Sequence, residues 1–220
     1  MKTRRAPCCR IALTGAPGGG KTTAAEFFRR EIGDRVVIVP EAATILFQGG
    51  FPRSQNGEVV RIAQQTIFQL QQKLEEVQRA TYPDRILLCD RGTVDGAAYW
   101  PGRNGFFKAM KTTLEDELHR YQAVIYFETA ALAGIGIEGG NPQRIESLAE
   151  AVELDSRLRK LWMRHPRLVV IPHDVSFFKK IGFGLVALQQ IVNELSPVGA
   201  ARPRTVRGAK RRRRRKAGAR

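Results

Sequence analysis

This sequence predicts a three-layer α/β/α fold built on a five-stranded parallel sheet, and three observations carry that expectation. Five short apolar runs, residues 10–14, 35–39, 85–89, 123–127 and 167–171, alternate with segments of helical periodicity. A glycine-rich stretch, LTGAPGGGKTTAAE from Leu13 to Glu26, lies between the first run and the first helical segment. A length of 220 residues with 43% hydrophobic content fits one globular domain with a real core.

Each element follows from its residues. Arg10-Ile-Ala-Leu-Thr14 reads as a buried strand and Thr22 to Arg30 as the helix after it. Arg35 to Val39 is a second strand that ends at Pro40-Glu41. Glu58 to Arg79 is a long glutamine-rich helix with Ile62, Ile67, Leu70, Leu74 and Val77 near helical spacing. Tyr82-Pro83-Asp84 breaks it, and Arg85 to Cys89 is a third strand running to Asp90. Lys108 to Arg120 is helical, and Ala123 to Phe127 is the fourth strand. A glycine-rich loop, Ala133 to Asn141, and a helix from about Ser147 to Arg164 precede the fifth strand, Arg167 to Ile171. Ser176 to Leu195 is the closing helix.

Charge divides the chain near Ser196. The net charge is +16, yet Pro197 to Arg220 holds 11 Lys/Arg and no acid, leaving 26 basic against 21 acidic residues before it. Residues 1–196 are therefore expected to be the globular domain, and 197–220 a disordered arginine-rich tail that cannot bury apolar surface. The tail's expected work is electrostatic, toward nucleic acid or an anionic membrane surface. No apolar run approaches membrane-spanning length, and MKTRRAPCCR lacks the apolar core of a signal peptide, so the expected location is cytoplasmic. Cys8, Cys9 and Cys89 form neither a disulfide framework nor a zinc spacing, and the vicinal pair reads as exposed spectators.

Gly15-x-x-x-x-Gly20-Lys21-Thr22 is the P-loop pattern, placed where its chemistry needs it, between strand and helix. Backbone N–H groups of Gly15, Ala16, Pro17, Gly18, Gly19, Gly20, Lys21, Thr22 and Thr23 (proline excepted) form the expected phosphate cradle, aided by the helix N-terminus. Lys21 is expected to reach the β- and γ-phosphates of ATP or GTP, and the Thr22 hydroxyl to ligate Mg²⁺.

The third strand then narrows the class. Neither D-x-x-G nor N-K-x-D occurs, which disfavours a switch GTPase without excluding GTP. Motor ATPases follow the strand-end aspartate with a glutamate that polarises water; here Asp90 is followed by Arg91. Arginine stays protonated and clamps anions instead. Asp90 is expected to hold Mg²⁺ directly or through water, and Arg91 to bind a donor or acceptor phosphate, as in a nucleotide-kinase-like P-loop NTPase. Glu41, at the end of the second strand, would face the P-loop across the cleft and take a proton from an acceptor hydroxyl. Its structural alternative is a helix N-terminal acid favoured by the macrodipole.

Residues 8–195 resemble the NadR-kinase-like ATP-binding family of P-loop kinases. The segments that carry the resemblance are LTGAPGGGKTT, VPEAA, AQQTIFQLQQKLEE, CDRGTVDGAAY and NPQRIESLAEAVELDSRLRKLWMRHPRLVVI. The last, with N-x-x-R-x-E, a leucine-aspartate pair, tryptophan and His-Pro, resembles a branch of GTP- and phosphoinositide-binding channel-trafficking proteins and its bacterial relatives. The resemblance implies nucleotide binding in a kinase-like fold. It also makes Arg144, in N-x-x-R-x-E, the first candidate for a lid arginine that closes over the transferring phosphoryl group, ahead of Arg157 and Arg159. The loop from Thr129 to Gly136 lacks the arginine or acid expected before its glycine.

The remaining polar residues have structural expectations. His165 reads as a helix C-cap, Trp162 as core packing, and Gln64, Gln65 and Gln69 as exposed positions with an acceptor-binding alternative. Asp95 either caps the helix starting at Gly96, which is the expected role, or orients an acceptor. The chain thus reads as a small-molecule kinase of nucleoside type, with a nucleotide-dependent binding protein and a nucleic-acid-associated NTPase as rivals.

Overall fold

The structure, a computed structural model, describes residues 9–102, 104–129, 148–173 and 176–196. Five strands, β1 (Arg10–Thr14), β2 (Val36–Val39), β3 (Ile86–Asp90), β4 (Ala123–Phe127) and β5 (Leu168–Ile171), form one parallel sheet in the order β2-β3-β1-β4-β5. The helices are α1 (Lys21–Ile32), α2 (Ala42–Gln48), α3 (Gly57–Thr81), α4 (Gly96–Tyr99), α5 (Phe106–Ala109), α6 (Leu114–His119), α7 (Leu148–Trp162) and α8 (Phe177–Leu195). A short 3-10 turn, Gly33–Arg35, leads into β2. No helix among the described residues is long and apolar enough to cross a membrane.

The central strands are apolar throughout because both sheet faces are covered. Ile11 and Leu13 of β1 point to the layer of α1 and α8, where Phe28, Leu188 and Val192 are buried. Ala12 points the other way, to Leu118, Leu158 and Trp162 of α6 and α7. Burying one such side chain is worth about 1.5–3 kcal/mol, so this alternation fixes which face each helix covers.

Three segments differ from the sequence expectation. The helix expected over 108–120 is two short helices, because Lys111 adopts φ 56° and Thr113 starts a new helix by accepting the Asp116 N–H at 3.1 Å. Residues 42–48 form a helix, which the sequence offered only as the alternative setting of Glu41 at a helix N-terminus. In α3 the apolar set does not face the core uniformly: Ile62 is 49% and Val77 61% exposed, while Gln64, Gln71 and Glu75 are buried with Ala63 and Phe68. The expected tail, residues 197–220, lies outside the described residues, as does Cys8; Cys9 is half-buried against the core rather than exposed.

Candidate functional site

Three strand ends converge on one place. β1 lies between β3 and β4, with Leu13 in register with Asp90 and Ile125, so the chain leaving Thr14 emerges beside Asp90. There it forms the loop from Gly15 to Gly20 and enters α1 at Lys21. Gly15, Gly18 and Gly20 have φ of 130°, 82° and 81°, conformations that side chains resist. Space adds a second requirement. A Cβ on Gly15 would lie 2.1 Å from the Phe127 carbonyl oxygen, and one on Gly20 would lie 2.5 Å from the Phe177 ring. Thr129 braces the loop from behind by donating to the Pro17 carbonyl at 2.7 Å.

Lys21 is buried and donates from Nζ to the Ala16 carbonyl at 2.9 Å, folding back over the loop. Burial and the nearby Arg91 cation push its ammonium down to about 7, against the pull of Asp90, Glu41 and Asp95. A cation so short of counter-charge is matched to a polyphosphate. Thr22 donates to Asp90 Oδ2 at 2.8 Å, and Thr23 is exposed one position further along α1. Asp90 is buried, and its Oδ1 has no hydrogen-bond partner among the described residues. Burial, then Glu41, pushes its carboxyl above the ordinary range. An orphaned carboxylate oxygen beside a threonine hydroxyl is the oxygen donor set that a Mg²⁺ ion uses, so these residues fit that ion.

Arg91 is the hub. Its backbone N–H still follows the sheet, donating to Leu13 at 2.9 Å, and then φ turns to 75°. The guanidinium donates from Nε to Glu41 Oε1 at 2.5 Å, and from one terminal nitrogen to the Gly15 carbonyl at 3.2 Å and Asp95 Oδ2 at 3.4 Å. Burial would lower its pKa, but Tyr99, Glu41 and Asp95 hold it well above the ordinary value. Glu41 stands at the start of α2 without capping the helix by its side chain; it accepts from Arg91 and from Thr44 at 2.6 Å. Burial works to raise its carboxyl, and Arg91, Thr44 and Lys21 outweigh that and hold it below the ordinary range.

The structure therefore brings Lys21, Thr22, Glu41, Asp90 and Arg91 together. Arg144 and the glycine-rich loop lie outside the described residues. Arg157 is engaged by Glu153 and the Ala98 carbonyl, and Arg159 by Glu128. Gln69 is exposed as expected and Gln65 half-buried, but Gln64 is buried against Gly96. His165 lies three residues past the end of α7; its Nδ1 accepts from the Arg167 N–H at 3.0 Å and its Nε2 faces the Tyr121 carbonyl at 2.9 Å. It ties the turn to β4's approach rather than capping the helix.

Asp95 needs correction too. It makes no side-chain cap for α4; its Oδ1 accepts from Thr14 at 2.8 Å and from the Trp162 indole at 2.6 Å. Two further buried residues carried no signal in the sequence reading. Gln71 donates to the Arg91 carbonyl at 3.3 Å, and Glu75, fully buried, meets Arg10 at 3.0 Å, Arg120 at 2.6 Å and the Tyr121 hydroxyl at 2.9 Å. Their spacing of four on one helix, aligned with Gln64 and Phe68, was the available clue.

Similarity to known proteins agrees with this geometry. Residues 10–179 match the family described as an AAA domain. Among solved structures, the fold is similar to a NadR protein in complex with NAD and AMP-PNP, with TM-score 0.60 and 13% identity over 84% of this chain. The match spans 50% of that NadR chain. It is also similar to deoxyadenosine kinase from M. mycoides with bound dATP, with TM-score 0.59 and 13% identity, covering 82% of this chain and 99% of that one. No curated protein matches the chain in sequence. With a P-loop at the head of β1 and an Asp-Arg pair at the end of β3, in a fold like that of NadR and of deoxyadenosine kinase, the chain belongs to the AAA-domain family.

Proposed function

We propose that this protein is a phosphotransferase that moves the γ-phosphoryl group of a nucleoside triphosphate to the hydroxyl of a small, nucleoside-type acceptor. The observation that carries the reading is the Arg91–Glu41 ion pair of 2.5 Å at the P-loop mouth. A hydrolytic motor has no use for an arginine at the position of its water-polarising acid, whereas a transferase needs both a carboxylate base and a phosphate clamp. The neighbours' bound AMP-PNP and dATP support an adenine nucleotide as donor, with GTP as the alternative.

In this reading the loop amides and Lys21 hold the β- and γ-phosphates, and Thr22 and Asp90 would hold Mg²⁺. The ion would neutralise charge on the phosphate oxygens. Arg91 lies against the transferring group, and Glu41, released from Arg91 by the incoming phosphate, accepts the acceptor's proton. Glu41→Gln is expected to preserve nucleotide affinity and to lower transfer by ~10²–10⁴. Screening nucleosides and related alcohols with full-length wild type and this variant tests it. Unchanged turnover in the variant removes Glu41 from the mechanism; hydrolysis with no acceptor turnover favours a nucleotide-dependent binding protein.

That second reading draws on residues 197–220, whose 11 basic residues stand without one acid. Such a run binds polyanions, nucleic acid or anionic lipid, in a salt-dependent way. Deleting 197–220 is expected to abolish low-salt binding to DNA and anionic vesicles while nucleotide affinity stays within about twofold. Equal binding by both forms would put the anion site on the domain.

A further inference from the structure

Trp162 and Asp95 belong to two of the quoted sequence segments, and the proposed chemistry uses neither. Trp162, the last residue of α7, is fully buried; its ring meets Tyr121 edge-on at 5.6 Å. The ring also lies against the turn after β3, where a Cβ on Gly92 would come within 2.8 Å of it. Packing alone would be served by phenylalanine. Indole adds one buried N–H, which must find an acceptor. It finds Asp95 Oδ1 at 2.6 Å, the oxygen that also accepts the Thr14 hydroxyl at 2.8 Å.

Two neutral donors on one oxygen have a directional consequence. They use up Oδ1 and turn Oδ2 toward Arg91, 3.4 Å away. Arg91 thus stands between two acids, Glu41 at the start of α2 and Asp95 before α4. Once Glu41 turns to an acceptor hydroxyl, Asp95 is the acid that remains. A carboxylate free to rotate in that place would let the guanidinium follow Glu41, with only its bond to the Gly15 carbonyl at 3.2 Å to hold it back.

We propose that Trp162 is a positioning residue: through its indole N–H it fixes Asp95, which in turn holds the Arg91 guanidinium in line with the P-loop. The inference rests on reading Arg91 as the phosphate clamp. It places the end of α7, the helix that follows the glycine-rich loop, in command of a side chain after β3.

Two readouts on the full-length protein test it. The first needs no turnover. In ¹⁵N spectra the Arg91 Nη1 group, the one that donates to Asp95 Oδ2 and is assigned by its loss in Arg91→Lys, is expected to exchange its protons slowly with water in the wild type. Its exchange should be at least about tenfold faster in Trp162→Phe and in Asp95→Asn, as for a guanidinium that has lost its fixed partner. The second readout is kinetic. Trp162→Phe is expected to lower kcat about tenfold with the nucleotide KM within about twofold, and to add no further loss in an Arg91→Lys background. Unchanged exchange in Trp162→Phe, or equal kcat losses in both backgrounds, overturns the proposal.

Should Trp162→Phe not fold, Asp95→Asn and Thr14→Val carry the test. Asp95→Asn should shift the Trp162 indole N–H resonance and free Arg91; Thr14→Val, which removes the other donor to the same oxygen, should speed Arg91 exchange in part. No change in either variant overturns the proposal. If no acceptor is ever turned over, the phosphotransfer reading fails, and the exchange experiment still decides the role of Trp162.

Discussion

Helices α1 and α3 both pack beside the P-loop strand system, and they bury opposite kinds of surface. The inner stripe of α1 is Ala24, Ala25, Phe28 and Ile32, a run that satisfies itself by contact. The inner stripe of α3 is Gln64, Phe68, Gln71 and Glu75. Gln71 and Glu75 meet each other and partners brought from Arg10, Arg91, Arg120 and Tyr121. An apolar stripe tolerates any complementary face, whereas a polar one demands particular donors at particular distances. So α1 anchors the loop it follows, and α3 sets the shape of a turn it is not connected to.

Removing Glu75 gives the largest expected effect. Glu75→Ala removes the buried carboxylate that Arg10, Arg120 and the Tyr121 hydroxyl share, leaving Arg120 its pair with Glu117 and Tyr121 its bond to Thr93, at a cost of about 3–5 kcal/mol. Phe28→Ala in α1 is expected to cost a similar amount, about 3–5 kcal/mol, by opening a cavity. Urea unfolding of both variants measures this. The difference between the helices appears in the repair: Glu75→Met with Arg10→Met and Arg120→Leu should restore stability to within about 1 kcal/mol of wild type. If that triple variant stays as weak as Glu75→Ala, α3's network is more than mutual compensation of buried charge.

Lys21 opens α1 with a buried cation, and its consequence is for ligand and pH. Saturating nucleotide, at about 100–1,000 times Kd, should stabilise the wild type by about 3–4 kcal/mol and Lys21→Ala hardly at all. Without ligand, Lys21 titrates near 7 when folded and near 10.5 when unfolded. The unfolded chain therefore holds more protons through that window, so stability from this site rises as pH climbs from about 7 toward 10.5, and below 7 the full penalty stands. Thermal melts of wild type and Lys21→Met at about pH 6.5 and about pH 9 should converge at the higher pH. The smallest effect is at the break in the helix expected over 108–120, where Thr113→Ala should cost about 1 kcal/mol by removing the α6 cap.

The legible parts of the molecule are those written in contiguous residues. Arg10–Thr14, Gly15–Thr22 and Phe127's strand announce themselves by local apolarity and by glycine spacing, and the sheet follows. Glu41, Asp90 and Arg91 were legible as strand-end residues, since parallel sheets gather ligands there. Their mutual geometry was not, because a 2.5 Å contact across 50 positions has no local trace. Asp95 read as a cap because aspartate before Gly96 has that local role; two distant donors, Thr14 and Trp162, and the nearby Arg91 override it. The α3 apolar set holds for Leu74, which packs against the core, but Ile62 and Val77 face outward while Gln71 and Glu75 are buried.

The close approach of Phe177 to Gly20 and of Phe127 to Gly15 has a consequence for birth of the chain. On the ribosome the groups that wall in the phosphate loop, Phe127 and Phe177, emerge about a hundred residues or more after the loop itself. A domain of this topology folds as a unit once its distant parts are available. Nucleotide can therefore find a finished cradle only after the start of α8 has left the exit tunnel, so competence for phosphate binding waits on residues far downstream of the loop that makes the contacts.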